Sequence, residues 1–467
     1  MLIISLPSQT QINEMMKTSE IRDCIMTVNS DLLIRNATII LASGELFLGD
    51  VLCRQGKITE ISPTIANEDS CTVVDATGLT LLPGVIDPQV HFREPGLEHK
   101  EDLYTAGRAC AKGGVTSFLE MPNTRPLTID QAALDDKLRR AAEKCLVNFG
   151  FFIGATAENR HDLLDANPAC GIKIFMGSSH GALLVSRERE IEPIFAKGKR
   201  LIAVHAEDQA RIIERRKLFK DQSNPAIHSQ IQDEIAALNA TKLALKLSKK
   251  YQRRLHILHL STGIEAEYLR HDKPSWVTAE VTPQHLLLNT EAYEEIGTLA
   301  QMNPPLRSPE NNDILWQALL DGVIDFIATD HAPHTLEEKA QPYPKSPSGM
   351  PGVETSLPLM LTQAKQGRCS LAQVVRWMSS APAAAYGIAQ KGAIAPGYDA
   401  DLVLVDLQTY RPVLRETLQT KSGWSPFEGW QLTGWPVITI VGGQVVFERG
   451  KFSETANAQA LEFSDQT

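Results

Sequence analysis

The sequence predicts an α/β fold: a (β/α)8 TIM-type barrel joined to a small composite β-sandwich domain built from the N- and C-terminal segments. Three observations lead there. Between Gly84 and Gln390, short apolar runs alternate with longer helix-compatible stretches, the pattern of a parallel sheet with helical crossovers. Eight such units in about 300 residues fit a barrel better than an open doubly wound sheet of five or six strands. Finally, β-rich runs with turn signals stand at both ends of the chain, so the middle reads as an insertion whose own ends lie close together.

Residues 1–30 are polar and without periodicity, and an extension without fixed structure is expected there, with Met26 a candidate natural start. They lack the basic and apolar regions of a signal peptide. From 31 to 83, LLIRNATII, ELFLGDVLCRQGKITEI and CTVVDATGLTLL read as strands of a small antiparallel sheet. The barrel segment, 84–390, supplies the strand candidates GVIDPQVHF, TSFLEM, FGFFIG, GIKIFM, LIAVH, LHILHL, WVTAEV and VIDFIAT. Helical stretches such as DQAALDDKLRRAAEKC and QIQDEIAALNATKLALKLSKKY lie between them. Residues 391–460 return to β texture in DADLVLVDL and WPVITIVGGQVVFERGKF, where VGGQ signals a hairpin.

Composition narrows the function. The chain of 467 residues is 43% hydrophobic and 22% charged, as in an ordinary globular protein. With 46 basic and 56 acidic residues it carries a net charge of −10, which argues against nucleic acid or anionic membrane as a partner. No apolar run is long enough to span a bilayer, so a soluble protein is expected. The 7 cysteines include no C-x-x-C pair, which fits the cytoplasm and argues against thiolate zinc. No G-x-G-x-x-G or Walker loop follows a strand, so a nucleotide cofactor is not indicated.

Chemistry gathers at the predicted strand ends, where a barrel of this kind keeps its active face. In order they carry Gln89, His91 and Arg93; Asn123; Lys173; His205; His259; and Asp330 with His334. Period-two geometry places Gln89, His91 and Arg93 on one face, and three inward polar groups are costly unless they find partners. Lys173, flanked by apolar residues, should have its ammonium disfavoured; a neutral buried amine can react with carbon dioxide to give a metal-bridging carbamate. Taken singly, Lys173 reads more readily as a snorkelling or ion-paired residue and His205 and His259 as structural histidines, while the first-strand group alone decides neither way. Three histidines converging on one mouth are harder to explain as packing. His256, at odd spacing from His259, should face the other way. In IATDHAPH, Asp330 can serve as metal ligand and general base, with His334 reaching a substrate. Imidazole and carboxylate without thiolate suit zinc, and the set as a whole suits amide hydrolysis or its reversal.

These residues resemble those of the amidohydrolase superfamily and, within it, the long, type I dihydroorotase family. The likeness runs from about Leu32 through GLTLLPGVIDPQVHFREPG, MPNT, GIKIFMGSS, VHAED, HILHLST, MNPPLR, ATDHAPHTLEEK, SGMPGVETSLPLML, PGYDADLVLVDL and SPFEGW. It implies a carboxylated Lys173, with His205 and His259 on a β metal and His91 and Asp330 on an α metal. It further implies reversible cyclisation of N-carbamoyl-L-aspartate to dihydroorotate, with Asp330 as general acid and base. Arg93, Asn123 and His334 would hold the substrate carboxylate, and Asn303 would contact the pyrimidine ring. A planar Arg donor independently suits the ring carboxylate that distinguishes dihydroorotate from dihydropyrimidines.

One position departs. The family pattern on the first strand is His-x-His, whereas this chain has Gln89-Val90-His91. An amide oxygen is a poorer zinc ligand than imidazole, so one or two zinc ions per chain are expected, with the α site the weaker. Two rival readings follow: a non-catalytic scaffold subunit for aspartate carbamoyltransferase, and a hydrolase of another cyclic ureide such as allantoin. A homo-oligomer is expected, with aspartate carbamoyltransferase a candidate partner.

Overall fold

The computed structural model describes residues 31–66, 71–178 and 181–464; the expectations for residues 1–30 lie outside it. Five strands open the chain: β1 (Leu32–Ile40), β2 (Leu46–Arg54), β3 (Lys57–Ser62), β4 (Thr72–Asp75) and β5 (Thr80–Pro83). The next nine are β6 (Val85–Val90), β7 (Val115–Glu120), β8 (Asn148–Phe151), β9 (Ile153–Gly154), β10 (Ile172–Phe175), β11 (Ile202–His205), β12 (Leu255–Ile257), β13 (Val277–Val281) and β14 (Phe326–Ile327). The last four are β15 (Leu402–Pro412), β16 (Gln431–Val441), β17 (Gln444–Glu448) and β18 (Lys451–Phe452).

Strands from the two ends share one sheet of nine, in the order β18-β17-β16-β15-β5-β1-β2-β3, with β4 beside β1. The join is antiparallel, β15 on β5, from Leu402 opposite Pro83 to Val405 opposite Thr80. Alternating apolar side chains from both segments, among them Ile34, Ile39, Leu81, Leu402, Leu404 and Ile440, bury one another in a common core. The hairpin signalled by VGGQ forms between β16 and β17, with Gly442 and Gly443 both at positive φ (53° and 78°) as a two-residue turn requires.

The middle strands pair in parallel from β6 to β8 and from β9 to β14. β8 and β9 continue one another across Phe152, whose N–H donates to Glu120 O at 3.0 Å, while that of Ile153 donates to Gly171 O at 3.1 Å. The eighth strand position returns to the first through a parallel bridge between Val90 and His331, with His91 N–H donating to His331 O at 2.7 Å. Eight strand positions therefore surround one axis. The two helical stretches singled out in the sequence form Gln131–Lys144 and Glu234–Tyr251, capped by the side chains of Asp130 and Asp233 on free N–H groups of the first turn. Among the described residues no helix is long and apolar enough to cross a membrane.

Candidate active site

The barrel brings the ends of β6, β10, β11, β12 and β14 to one mouth. Gln89, His91, Arg93, Lys173, His205, His259, Asp330 and His334 are all buried there, and Asn123 and Asn303 are half-buried. Two histidine-centred pairs organise the site. In the first, His91 Nε2 and Gln89 Nε2 each stand 3.1 Å from Asp330 Oδ1. His91 Nδ1 contacts Asn123 Oδ1 at 2.7 Å, an acceptor that fixes the ring proton on Nδ1. The neutral ring then turns the Nε2 lone pair towards a carboxylate oxygen, an arrangement that calls for a proton or a cation between them. In the second pair, the His205 and His259 rings meet edge to face with centroids 4.5 Å apart, and His205 Nε2 contacts Glu207 Oε2 at 2.7 Å.

Lys173 belongs to both pairs electrostatically. Its Nζ is buried without a hydrogen-bond partner, 4.5 Å from the centre of the Phe175 ring, and burial pushes its pKa down to about 7. His91 is held below the ordinary histidine range by burial first and by the Lys173 charge among its neighbours. Burial holds His259 well below that range, followed by the charges of His205 and Lys173.

Substrate-side residues form a second group. Arg93 Nε donates to Pro333 O at 3.0 Å, and its Nη2 lies 3.3 Å from His334 Nε2. β6 ends at Val90, so Arg93 does not reach the mouth by continued alternation along a strand: its backbone turns through the left-handed region, φ 68°. That corrects the single-face reading of Gln89, His91 and Arg93. Burial pushes His334 down to about 3; as a neutral ring it accepts from Lys100 Nζ at Nδ1 (3.1 Å) and donates from Nε2 to Ser348 O (3.0 Å). Asn303 stands apart, its Oδ1 accepting from His228 Nε2 at 2.7 Å. His228 also contacts Ser348 Oγ (3.3 Å), which connects Asn303 to the His334 segment.

Positive φ marks this region again at His259 (37°) and Asp330 (47°), and such non-glycine conformations persist only where surrounding structure over-determines them. Under Asp330, the buried Asp87 accepts from Thr329 N at 3.1 Å and Thr329 Oγ1 at 2.5 Å, clamping the first strand to the eighth. His256 turns away from the mouth, as its spacing implied: it contacts Thr278 Oγ1 (2.8 Å) and Glu280 Oε2 (2.9 Å) and stacks on Phe326. Asp87, Lys100, Glu207, His228 and Ser348 were not singled out in the sequence. For Asp87 and Glu207 a signal existed, since each stands two residues from a chosen group, Gln89 and His205. Lys100 and Ser348 come from loops with no periodicity to read, and His228 opens a helix of only four residues, too short to show one.

The donor set accommodates a cation. Gln89 Oε1, Lys173 Nζ and His259 Nδ1 are buried without hydrogen-bond partners; Lys173 and His259 belong to the predicted ligand set, and Gln89 is the position that departs from the family pattern. Among the described residues, no three His, Cys, Asp or Glu side chains are gathered tightly enough to hold a metal alone. Each histidine pair would need a further ligand, and the charge of Lys173 bears on a histidine of each.

Comparison with known proteins agrees with this architecture. Residues 80–446 match the amidohydrolase family. A dihydroorotase of Methanosarcina mazei is 37% identical over 449 residues, covering 91% of this chain and 98% of that protein. One from Methanothermobacter thermautotrophicus is 37% identical over 400 residues, 85% of this chain and 91% of that protein. Among solved structures, the L-hydantoinase (dihydropyrimidinase) of Arthrobacter aurescens superposes with a TM-score of 0.88 at 31% identity, covering 92% of this chain and 99% of its own.

Proposed function

The chain belongs to the amidohydrolase family, and on that premise we propose how its barrel mouth performs the reaction of its dihydroorotase relatives. The activity is that of a dihydroorotase, the reversible cyclisation of N-carbamoyl-L-aspartate to dihydroorotate with loss of water, a step of pyrimidine biosynthesis. The single observation that carries the mechanism is the buried, unpartnered Lys173 amine shared by the His91–Asp330 and His205–His259 pairs.

In this reading Lys173 would be carboxylated and would complete the ligand set of both pairs. His205 and His259 complete the β site; His91, Asp330 and, through its free Oε1, Gln89 complete the α site. Zinc bound there supplies a Lewis acid that polarises the scissile carbonyl and lowers the pKa of water. Asp330 takes the proton of the attacking water and returns it to the leaving ring nitrogen, and in the synthetic direction it works in reverse. Asn123 fixes the tautomer of His91. Arg93, with Asn123 and His334, holds the ring carboxylate. Asn303, its Oδ1 already engaged by His228, presents its amide N–H to a ring oxygen.

Arg93 favours dihydroorotate over the substrates of hydantoinases, because a buried guanidinium needs an anionic partner that dihydrouracil, hydantoin and allantoin lack at the matching ring position. Turnover of these four compounds by the zinc-loaded chain tests the assignment. Dihydroorotate should be preferred, and preference for allantoin or hydantoin would assign the chain to another cyclic ureide. A cytoplasmic homo-oligomer, able to associate with aspartate carbamoyltransferase, completes the proposal.

A further inference from the structure

The motifs GIKIFMGSS and VHAED meet at a carboxylate that the mechanism does not use. Glu207 is fully buried, two residues beyond His205. Its Oε2 contacts His205 Nε2 at 2.7 Å and accepts from Ser178 Oγ at 2.6 Å. The Gln232 amide faces it as well: both Glu207 oxygens at 2.9 Å and Asn303 Oδ1 at 3.2 Å surround one end of that amide, which identifies the end as nitrogen. The segment before Ser178 is shaped for this approach. Gly177 lies so close that a Cβ there would stand 2.4 Å from Glu207 O, and Ser178 itself adopts φ 54°.

We propose that Glu207 is a positioning residue that couples the metal centre to the substrate loop. A carboxylate at Nε2 holds the proton of His205 on that nitrogen, so the Nδ1 lone pair is the one offered to a cation. Through Gln232 the same carboxylate steadies Asn303, whose Oδ1 receives Gln232 on one side and His228 on the other. One buried anion thus sets the orientation of a ligand at a strand end and of a substrate contact in a loop. The proposal rests on the assignment of His205 and Asn303 above, but it is read out by zinc affinity as well as by turnover.

The test is chelator competition for zinc with the holo protein, alongside kcat and KM for dihydroorotate, in Glu207→Gln and Gln232→Leu. An amide at 207 presents an N–H₂ group to partners that already donate, so zinc affinity should fall about 10- to 100-fold and KM should rise. Gln232→Leu should raise KM while leaving zinc affinity near that of the wild type. A folded Glu207→Gln protein with wild-type zinc affinity, or Gln232→Leu with wild-type KM, overturns the coupling. Should Glu207→Gln fail to fold, Glu207→Asp decides, because its shortened carboxylate cannot reach His205: the same zinc loss supports the proposal and unchanged affinity overturns it. If the wild type binds zinc but does not turn over dihydroorotate, the substrate assignment fails, and the zinc readout still judges Glu207.

Discussion

Arg93 is a cation in a nearly dry place, 7% exposed, with a backbone oxygen and a neutral imidazole for company. Carboxylates at Asp330, Glu120, Glu338 and Glu101 act on it only from a distance, and a substrate carboxylate would supply the direct partner. Arg93→Met should therefore lower kcat/KM for dihydroorotate about 10- to 100-fold, equivalent to the roughly 1.5 to 3 kcal/mol of a charge-assisted hydrogen bond, and leave the melting temperature little changed. Steady-state kinetics beside thermal melts check both halves. Lys173 makes a pH-dependent prediction. Burial lowers its pKa to about 7, and the free amine is the form that reacts with carbon dioxide, so zinc reloading of stripped protein should quicken with bicarbonate as pH rises through 7. Lys173→Ala should lose zinc by metal analysis; retention of full zinc content would exclude the carbamate bridge. Gln89 tests the asymmetry of the site. Its Nε2 is turned to Asp330 and its Oε1 has no partner, so dialysed wild type should hold fewer than two zinc ions per chain and Gln89→His should approach two. Two firmly held ions in both proteins would remove Gln89 from the argument.

At the scale of elements, the 331–350 loop carries His334 and Ser348, and Gly349 sets its path. Gly349 has φ 140°, and a Cβ there would lie 2.3 Å from Ala332 O and 3.1 Å from His334 Cδ2. Gly349→Ala should cost about 1 to 3 kcal/mol of stability and raise KM for dihydroorotate, with zinc affinity held, because Gly349 stands against Ala332 and His334 and not against a proposed zinc ligand. Denaturant melts and kinetics measure the two effects. The strands themselves were legible because each is a short apolar run bounded by polar or turn residues, and their ends carry side chains that have no place in a core. What alternation could not convey is where a strand stops. Arg93, His259 and Asp330 reach the mouth through left-handed backbone just past a strand, a geometry fixed by tertiary packing. Ser348, His228 and Lys100 were equally illegible, since they belong to loops or, for His228, to a four-residue helix, and they meet His334 or Asn303 only through tertiary packing.

In the whole molecule the terminal sheet and the barrel are fastened at Asp401. It accepts from Asn148 Nδ2 of the barrel strand β8 at 2.8 Å and from Gly442 N of the hairpin at 2.8 Å, and it pairs with Lys391. Asp401→Ala should cost about 3 to 5 kcal/mol, as expected for breaking a buried ion pair and stranding its partners. Unfolding followed by tryptophan fluorescence and by circular dichroism should remain a single coincident transition if the two parts fold as one. The barrel that this sheet supports exists to hold a catalytic centre, and the most direct measurement of that claim is dihydroorotate hydrolysis by the purified wild-type chain during zinc removal and return. Turnover that disappears with chelator and returns with zinc and bicarbonate is the predicted result; no turnover of dihydroorotate at any zinc level, with the chain folded, would contradict the account and favour a non-catalytic scaffold.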